Sequence, residues 1–190
     1  MKPIYQLCIY IFTLLLCLHI SGPVYASEAP YISRHGINFS TGNKYVREND
    51  ISLSGPVSSL SFARQYNSQS DDDSIIGFGW TFSYNDNLIP IPDLNLIIYN
   101  RSDGKITHFL HNGVDAWINK VDKKATITEN ASGDGYILST PGGSSLHFNL
   151  DGKLVEKRDL NNNSIFLSYT EDELTSISDG FGRSLDLSYN

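Results

Sequence analysis

Cysteine is nearly absent from this 190-residue chain. Its two copies, Cys8 and Cys17, both lie near the start, and methionine occurs once. Charged residues make up only 18%, with 14 basic against 21 acidic side chains and a net charge of −7. The few cysteines exclude a disulfide framework for the body of the chain. The shortage of clustered Lys and Arg disfavours a nucleic-acid partner, which would need phosphate-matching cations. No apolar run beyond the first 26 residues is long enough to cross a bilayer. No P-loop, dinucleotide fingerprint or G-x-S-x-G elbow occurs. What remains is 40% hydrophobic and 12% aromatic, rich in Gly, Ser and Asn. That balance favours short strands and turns over long helices.

The first 26 residues read as a secretory leader. Lys2 gives a positive tip, Ile4 to Ile20 is largely apolar, and Val24-Tyr25-Ala26 sets small residues where a signal peptidase cuts. Cleavage after Ala26 would remove both cysteines and one lysine, leaving 13 basic and 21 acidic residues, a net −8. The chain is therefore expected to be secreted or held at the cell surface. Its stability would rest on packing and strand pairing alone.

From Asp50 onward the chain alternates in period two between turn formers, the signature of β-strands joined as hairpins. Asp103-Gly104 between Leu94–Tyr99 and Ile106–Leu110 is a strong hairpin signal. Pro90-Ile91-Pro92-Asp93 is expected to stop pairing, because proline lacks the N–H a ladder needs. The last stretch repeats itself. Phe148 to Tyr169 overlays the residues that follow when shifted by twenty: Leu154 on Leu174, Asp159 on Asp179, Leu167 on Leu187, Tyr169 on Tyr189. Each unit is expected to be one hairpin, with Ile165, Leu167 and Tyr169 facing the same interior as Leu185, Leu187 and Tyr189.

These residues carry a resemblance. The run Tyr…Leu-Thr-Ser-Ile-Ser-Asp…Gly-Arg-Ser…Tyr, from Tyr169 to Tyr189, is similar to the YD repeat of RHS (rearrangement hotspot) proteins. The naming dipeptide reads Tyr169-Thr170 and Tyr189-Asn190 here, and the turn glycine, Gly152 in the first unit, is matched by Glu173 in the second. Upstream, Thr41-Gly42-Asn43, Asp50 to Leu53, Arg64 to Ser68 and Gly77 to Ser83 resemble, in that order, the motifs of the domain that opens many RHS proteins. After the leader at 1–26, the resemblance implies an RHS-type N-terminal domain at 27–98, connecting hairpins at 99–147 and two YD-like repeats at 148–190. The fold implied is all-β: a train of antiparallel hairpins forming a curved sheet, the start of an RHS shell. In proteins of that family the shell encloses a C-terminal toxin. By that analogy this chain would be a non-catalytic wall segment of a polymorphic toxin. The array would be cut short at Asn190. Its partners would be further repeats, or a second chain, at the last strand, with a toxin as possible cargo. A surface module binding carbohydrate or another cell is the alternative; loss of glycan binding on substitution of Trp80 or Tyr169 would favour it.

Individual residues point less sharply. Arg64 is in phase with Leu60, Phe62 and Tyr66, so it is expected to point inward and to need a carboxylate. Two glycines around Phe78 would let the backbone pass close to a neighbour before Trp80 buries. His108 and His111 are three apart and face opposite sides of a strand, so with His147 they make a poor zinc set. Asp71-Asp72-Asp73 lacks the alternation of a calcium loop and reads as a solvated turn. Tyr169, Tyr189 and Trp80 read as core aromatics stacked across hairpins. No catalytic, cofactor-binding or metal residue is assigned, and no cofactor is expected.

Overall fold

The computed structural model describes residues 36–55, 59–121 and 124–189. The leader, Pro56, Lys123 and Asn190 lie outside them. The described chain is all-β. A three-stranded antiparallel sheet joins β1 (Tyr45–Leu53), β2 (Leu60–Asn67) and β5 (Trp80–Phe82), in that order. Between its last two strands sits a small ribbon of β3 (Asp73–Ser74) and β4 (Gly77–Phe78).

The rest is one long antiparallel sheet. Its strands are β6 (Asn87–Ile91), β7 (Leu96–Asn100), β8 (Ile106–His111), β9 (Trp117–Ile118), β10 (Thr126–Glu129) and β11 (Gly135–Ser139). Next come β12 (Ser145–Asn149), β13 (Leu154–Arg158), β14 (Ser164–Thr170), β15 (Glu173–Asp179) and β16 (Ser184–Asp186). Strand order follows chain order without a crossover, so each strand pairs with the one before it and the one after. Turn chemistry makes this possible. Asn112 Oδ1 accepts the backbone N–H groups of Val114, Asp115 and Ala116, and Asn149 Oδ1 accepts that of Lys153 at 2.8 Å. Side-chain amides thus satisfy turn donors that no strand can reach.

The sheet is open but curled. Asn87 at its first strand forms an antiparallel bridge with Lys153, and Leu88 N–H donates to Gly152 O at 2.8 Å. Gly152 is required at this seam. Its φ is +78°, and a Cβ there would collide with the Leu88 carbonyl.

Alternate residues of the curled sheet point to one interior. Ile97, Phe109, Ile127, Leu138, Phe148, Leu154, Leu167, Leu174 and Ile177 are all buried in a single cluster. Leu60, Phe82 and Tyr84, from or next to the small sheet, belong to the same cluster. The small sheet therefore plugs part of the concave face.

The twenty-residue period holds in three dimensions. Ile165, Leu167, Tyr169, Leu185 and Leu187 all meet the common core. A bulge at Val155, where the pairing skips from Glu156 to Leu154, recurs at Thr175. Asp159 Oδ1 accepts from Asn161 and Asn163 N–H (2.8 and 2.9 Å), and Asp179 Oδ1 from Phe181 and Arg183 N–H (2.9 and 3.1 Å). Positive φ at Asn162 (+62°) is matched at Gly182 (+82°).

Three local expectations are corrected. Pro90 does not stop pairing: it lies within β6 opposite Ile97, and the chain turns one step later through a 3-10 turn at Pro92–Leu94. β6 is an edge strand, where the missing N–H of proline can face away from the ladder. Ile37 to Arg47, whose pattern about Thr41-Gly42-Asn43 reads as two short strands, is not two strands; only an Ile37–Lys44 bridge precedes β1, which runs unbroken to Leu53 with a bulge at Asp50. A shift of twenty sets Asp172, not Glu173, at the place of Gly152; Glu173 is paired in β15, and the residue with positive φ is Glu171, at +55°, in a tighter turn.

Gly152→Ala is expected to destabilise by about 3 kcal/mol or more, because it adds a backbone collision to the roughly 1–2 kcal/mol of left-handed strain. Gly182→Ala, with open space around it, carries the strain alone. Urea denaturation of the two variants separates the terms. Equal losses would mean that the sheet does not curl onto its own eighth strand.

Candidate functional site

The concave face offers the site. Ser83, Tyr84 and Asp86 lead from the small sheet into β6, and Lys157 on β13 reaches them from 71 residues away. Lys157 Nζ donates to Asp86 Oδ2 and to the Ser83 carbonyl, both at 3.1 Å, and lies 5.5 Å from the centre of the Tyr84 ring. Asp86 is almost fully buried. Its other oxygen accepts from Tyr99 Oη at 2.6 Å and from Ser102 N–H at 3.1 Å. The carboxylate is thus fully partnered, as a buried charge must be. Burial and the adjacent Asp86 carboxylate both push the Tyr99 phenol far above its ordinary pKa.

Beyond this staple the concave face is hollow. A cavity of about 930 Å³ runs along β7, β8 and β11, with Asp86, Tyr99, Phe109, Leu138 and Lys157 among its lining residues. No residue of β1, β2 or β5 lines it. Its rim comes from the β7–β8 turn, the β9–β10 connection and the β11–β12 turn, through Lys105, Lys120 and Pro141. In a sheet that runs up and down in chain order, these three connections fall at one end.

The edge of the long sheet at β16 is the second feature. Among the described residues β16 pairs only with β15. Tyr169 Oη donates to the Leu154 carbonyl at 2.9 Å, and Tyr189 Oη to the Leu174 carbonyl at 2.7 Å. These tyrosines are anchors at the end of each ladder rather than rings stacked across hairpins. Burial pushes the Tyr169 phenol up to about 12.

The other residues singled out from the sequence are scattered. Arg64 does not point into the core: its side chain is 39% exposed, paired through two nitrogens with Asp50 at 2.7 and 2.8 Å and lying 5.2 Å from the Trp80 ring centre. The strand phase was right, but that face leaves the core after Phe62. Trp80 is half-buried against Tyr66, and Gly79 does pass close to a neighbour, with Asn67 O 3.0 Å from where its Cβ would lie. His108 is exposed on the cavity rim, His111 packs edge-on against Trp117, and His147 lies 3.7 Å from Glu156. Among the described residues no group of three or more His, Cys, Asp or Glu is placed to hold a metal. Asp71, Asp72 and Asp73 are exposed. Asp86 and Lys157 drew no notice in the sequence, since nothing local links them. Among the described residues no helix is long and apolar enough to cross a membrane.

This geometry can be set beside known proteins. Residues 34–109 match the family model DUF6531, a domain of unknown function. The match spans the small sheet and runs into β8, so it takes in the plug and the first strands of the curl. The chain is also 30% identical, over 136 residues, to the tRNA nuclease WapA of Bacillus subtilis strain 168. It has the same identity to the tRNA(Glu)-specific nuclease WapA of Bacillus subtilis subsp. natto and to the tRNA3(Ser)-specific nuclease WapA of Bacillus spizizenii. Each alignment covers 71% of this chain and 6% of the relative. The chain therefore spans a small fraction of those proteins' length.

Lys157→Met is expected to destabilise by about 3 kcal/mol, the low end for breaking a buried pair, because the lysine is partly exposed. Adding Asp86→Asn to the same chain should recover part of the loss. A single-variant loss below about 0.5 kcal/mol in urea denaturation would show that the pair does not tie the two sheets together.

Proposed function

We propose that this chain is a non-catalytic wall segment of an exported RHS/YD-repeat protein, at the N-terminal side of its β-shell. The observation that carries the reading is the repetition, twenty residues apart, of a whole set of interactions: the bulge, the aspartate-capped turn, and the tyrosine anchored to a backbone carbonyl. Such a unit can be added again without changing its neighbours, as a repeat wall requires. The small coverage of the WapA relatives supports the same view, since most of each relative lies beyond the stretch that this chain matches. On this reading any catalysis belongs to other parts of such proteins, export is by the leader at 1–26, and a toxin is the enclosed cargo.

The wall continues at β16. Its outer side has no strand among the described residues, and an open edge is a template for pairing. The partner is the next repeat, or the same edge of a second chain. Residues 27–190 alone are expected to associate with rising concentration in analytical ultracentrifugation. Replacing the exposed edge residues Ser184 and Ser188 with lysine should restore the monomer. A wild-type segment that stays monomeric at several hundred micromolar would sink the proposal.

A further inference from the structure

We infer that the cavity at the turn end of the curled sheet binds an amphiphilic anion, a ligand with an apolar body and a single carboxylate or sulfonate head. Its volume of about 930 Å³ lies near the top of the range for small-molecule pockets, roughly 300–1,000 Å³. The walls supply the apolar half. Leu146 and Ala125 line the cavity with partly exposed surface, and the buried Phe109 and Leu138 lie behind them. A fitting ligand would remove that partly exposed apolar surface from water.

The charges decide the sign of the head group. Two of the cations that line the cavity are already matched within the protein: Lys157 by Asp86 at 3.1 Å, and Arg101 by Asp103 at 2.6 Å. That leaves Lys105 and Lys120. Both are exposed on the rim, and neither has an ion-pair partner among the described residues. They come from two different connections that the topology brings to the same end of the sheet. An acidic chain of net charge −7 thus presents a positive rim, unmatched among the described residues, over an apolar hollow. An anion at the rim, with its body along Ala125 and Leu146, meets both demands, whereas a cationic or wholly neutral ligand meets only one. The shared chemistry is found in acyl-chain acids and in aromatic acids. The inference stands whether or not the chain is part of a wall, since it uses the cavity alone.

The test is calorimetric titration of residues 27–190 with decanoate, with 1-naphthoate and, as a neutral comparator, with decanol. One of the two acids is expected to bind once per chain with a dissociation constant on the order of 10–100 µM, a range set by ligand size. Which of them binds separates an acyl-chain source from an aromatic one. Lys105→Glu with Lys120→Glu should weaken the acid at least tenfold and leave the melting temperature and the decanol titration unchanged. Ala125→Trp, which narrows the hollow, should abolish binding of the acid. The inference falls if neither acid saturates. It falls equally if decanol binds as well as the acid, if the double variant binds the acid unchanged, or if Ala125→Trp leaves binding intact.

Discussion

A single curved sheet cannot bury its own concave face, and most of this structure follows from that constraint. Leu88, Ile97, Phe109, Ile127, Leu138, Phe148, Leu154, Leu167, Leu174 and Ile177 all turn inward, and those side chains need something to meet. Part of the answer is the curl, which brings β6 to Lys153 and sets β7 facing β12, with Tyr99 edge-on to Phe148 at 6.1 Å. The other part is the small N-terminal sheet, whose Leu60 and Phe82, with the adjoining Tyr84, enter the same cluster. Where that plug ends, the hollow begins. The cavity and the plug are two consequences of one geometry.

Without disulfides in the body of the chain, the plug must be held by other means. The Asp86–Lys157 pair does this from one side and hydrogen bonding from another, since Arg183 Nη1 donates to the Leu53 carbonyl at 3.0 Å across 130 residues. The same Arg183 pairs with Asp179 of its own turn at 2.5 Å. One residue thus closes a repeat turn and ties that turn to the end of β1.

Local rules were legible in the sequence. Period-two patterning, the Asp-Gly and Asn turns and the twenty-residue overlay all predict hairpins with a common inner face, and Ile165, Leu167 and Leu185 lie there. What could not be read depends on contacts between distant residues. Nothing near Asp86 announces Lys157. Pro90 reads as a breaker until its strand is known to be an edge. Arg64 shares its phase with Phe62, but phase alone does not say where a sheet stops covering a core. Tyr169 and Tyr189 were found by spacing, yet their role in hydrogen bonding depends on where each ladder ends.

That last point explains why the repeat has the length and the tyrosine it has. The β13–β14 ladder runs from Arg158 only to Glu156, and the β15–β16 ladder from Ser178 only to Ser176. In each case the strand continues past a bulge to a buried leucine, Leu154 or Leu174, whose carbonyl lies beyond the ladder on that side. A buried carbonyl left without a donor is costly. The tyrosine fifteen residues further on supplies the missing donor from its hydroxyl, while its ring covers apolar surface. The bulge creates the need and the tyrosine meets it within the same hairpin. A unit that satisfies its own backbone in this way asks nothing of the next one except an edge to pair with, so it can be repeated many times over.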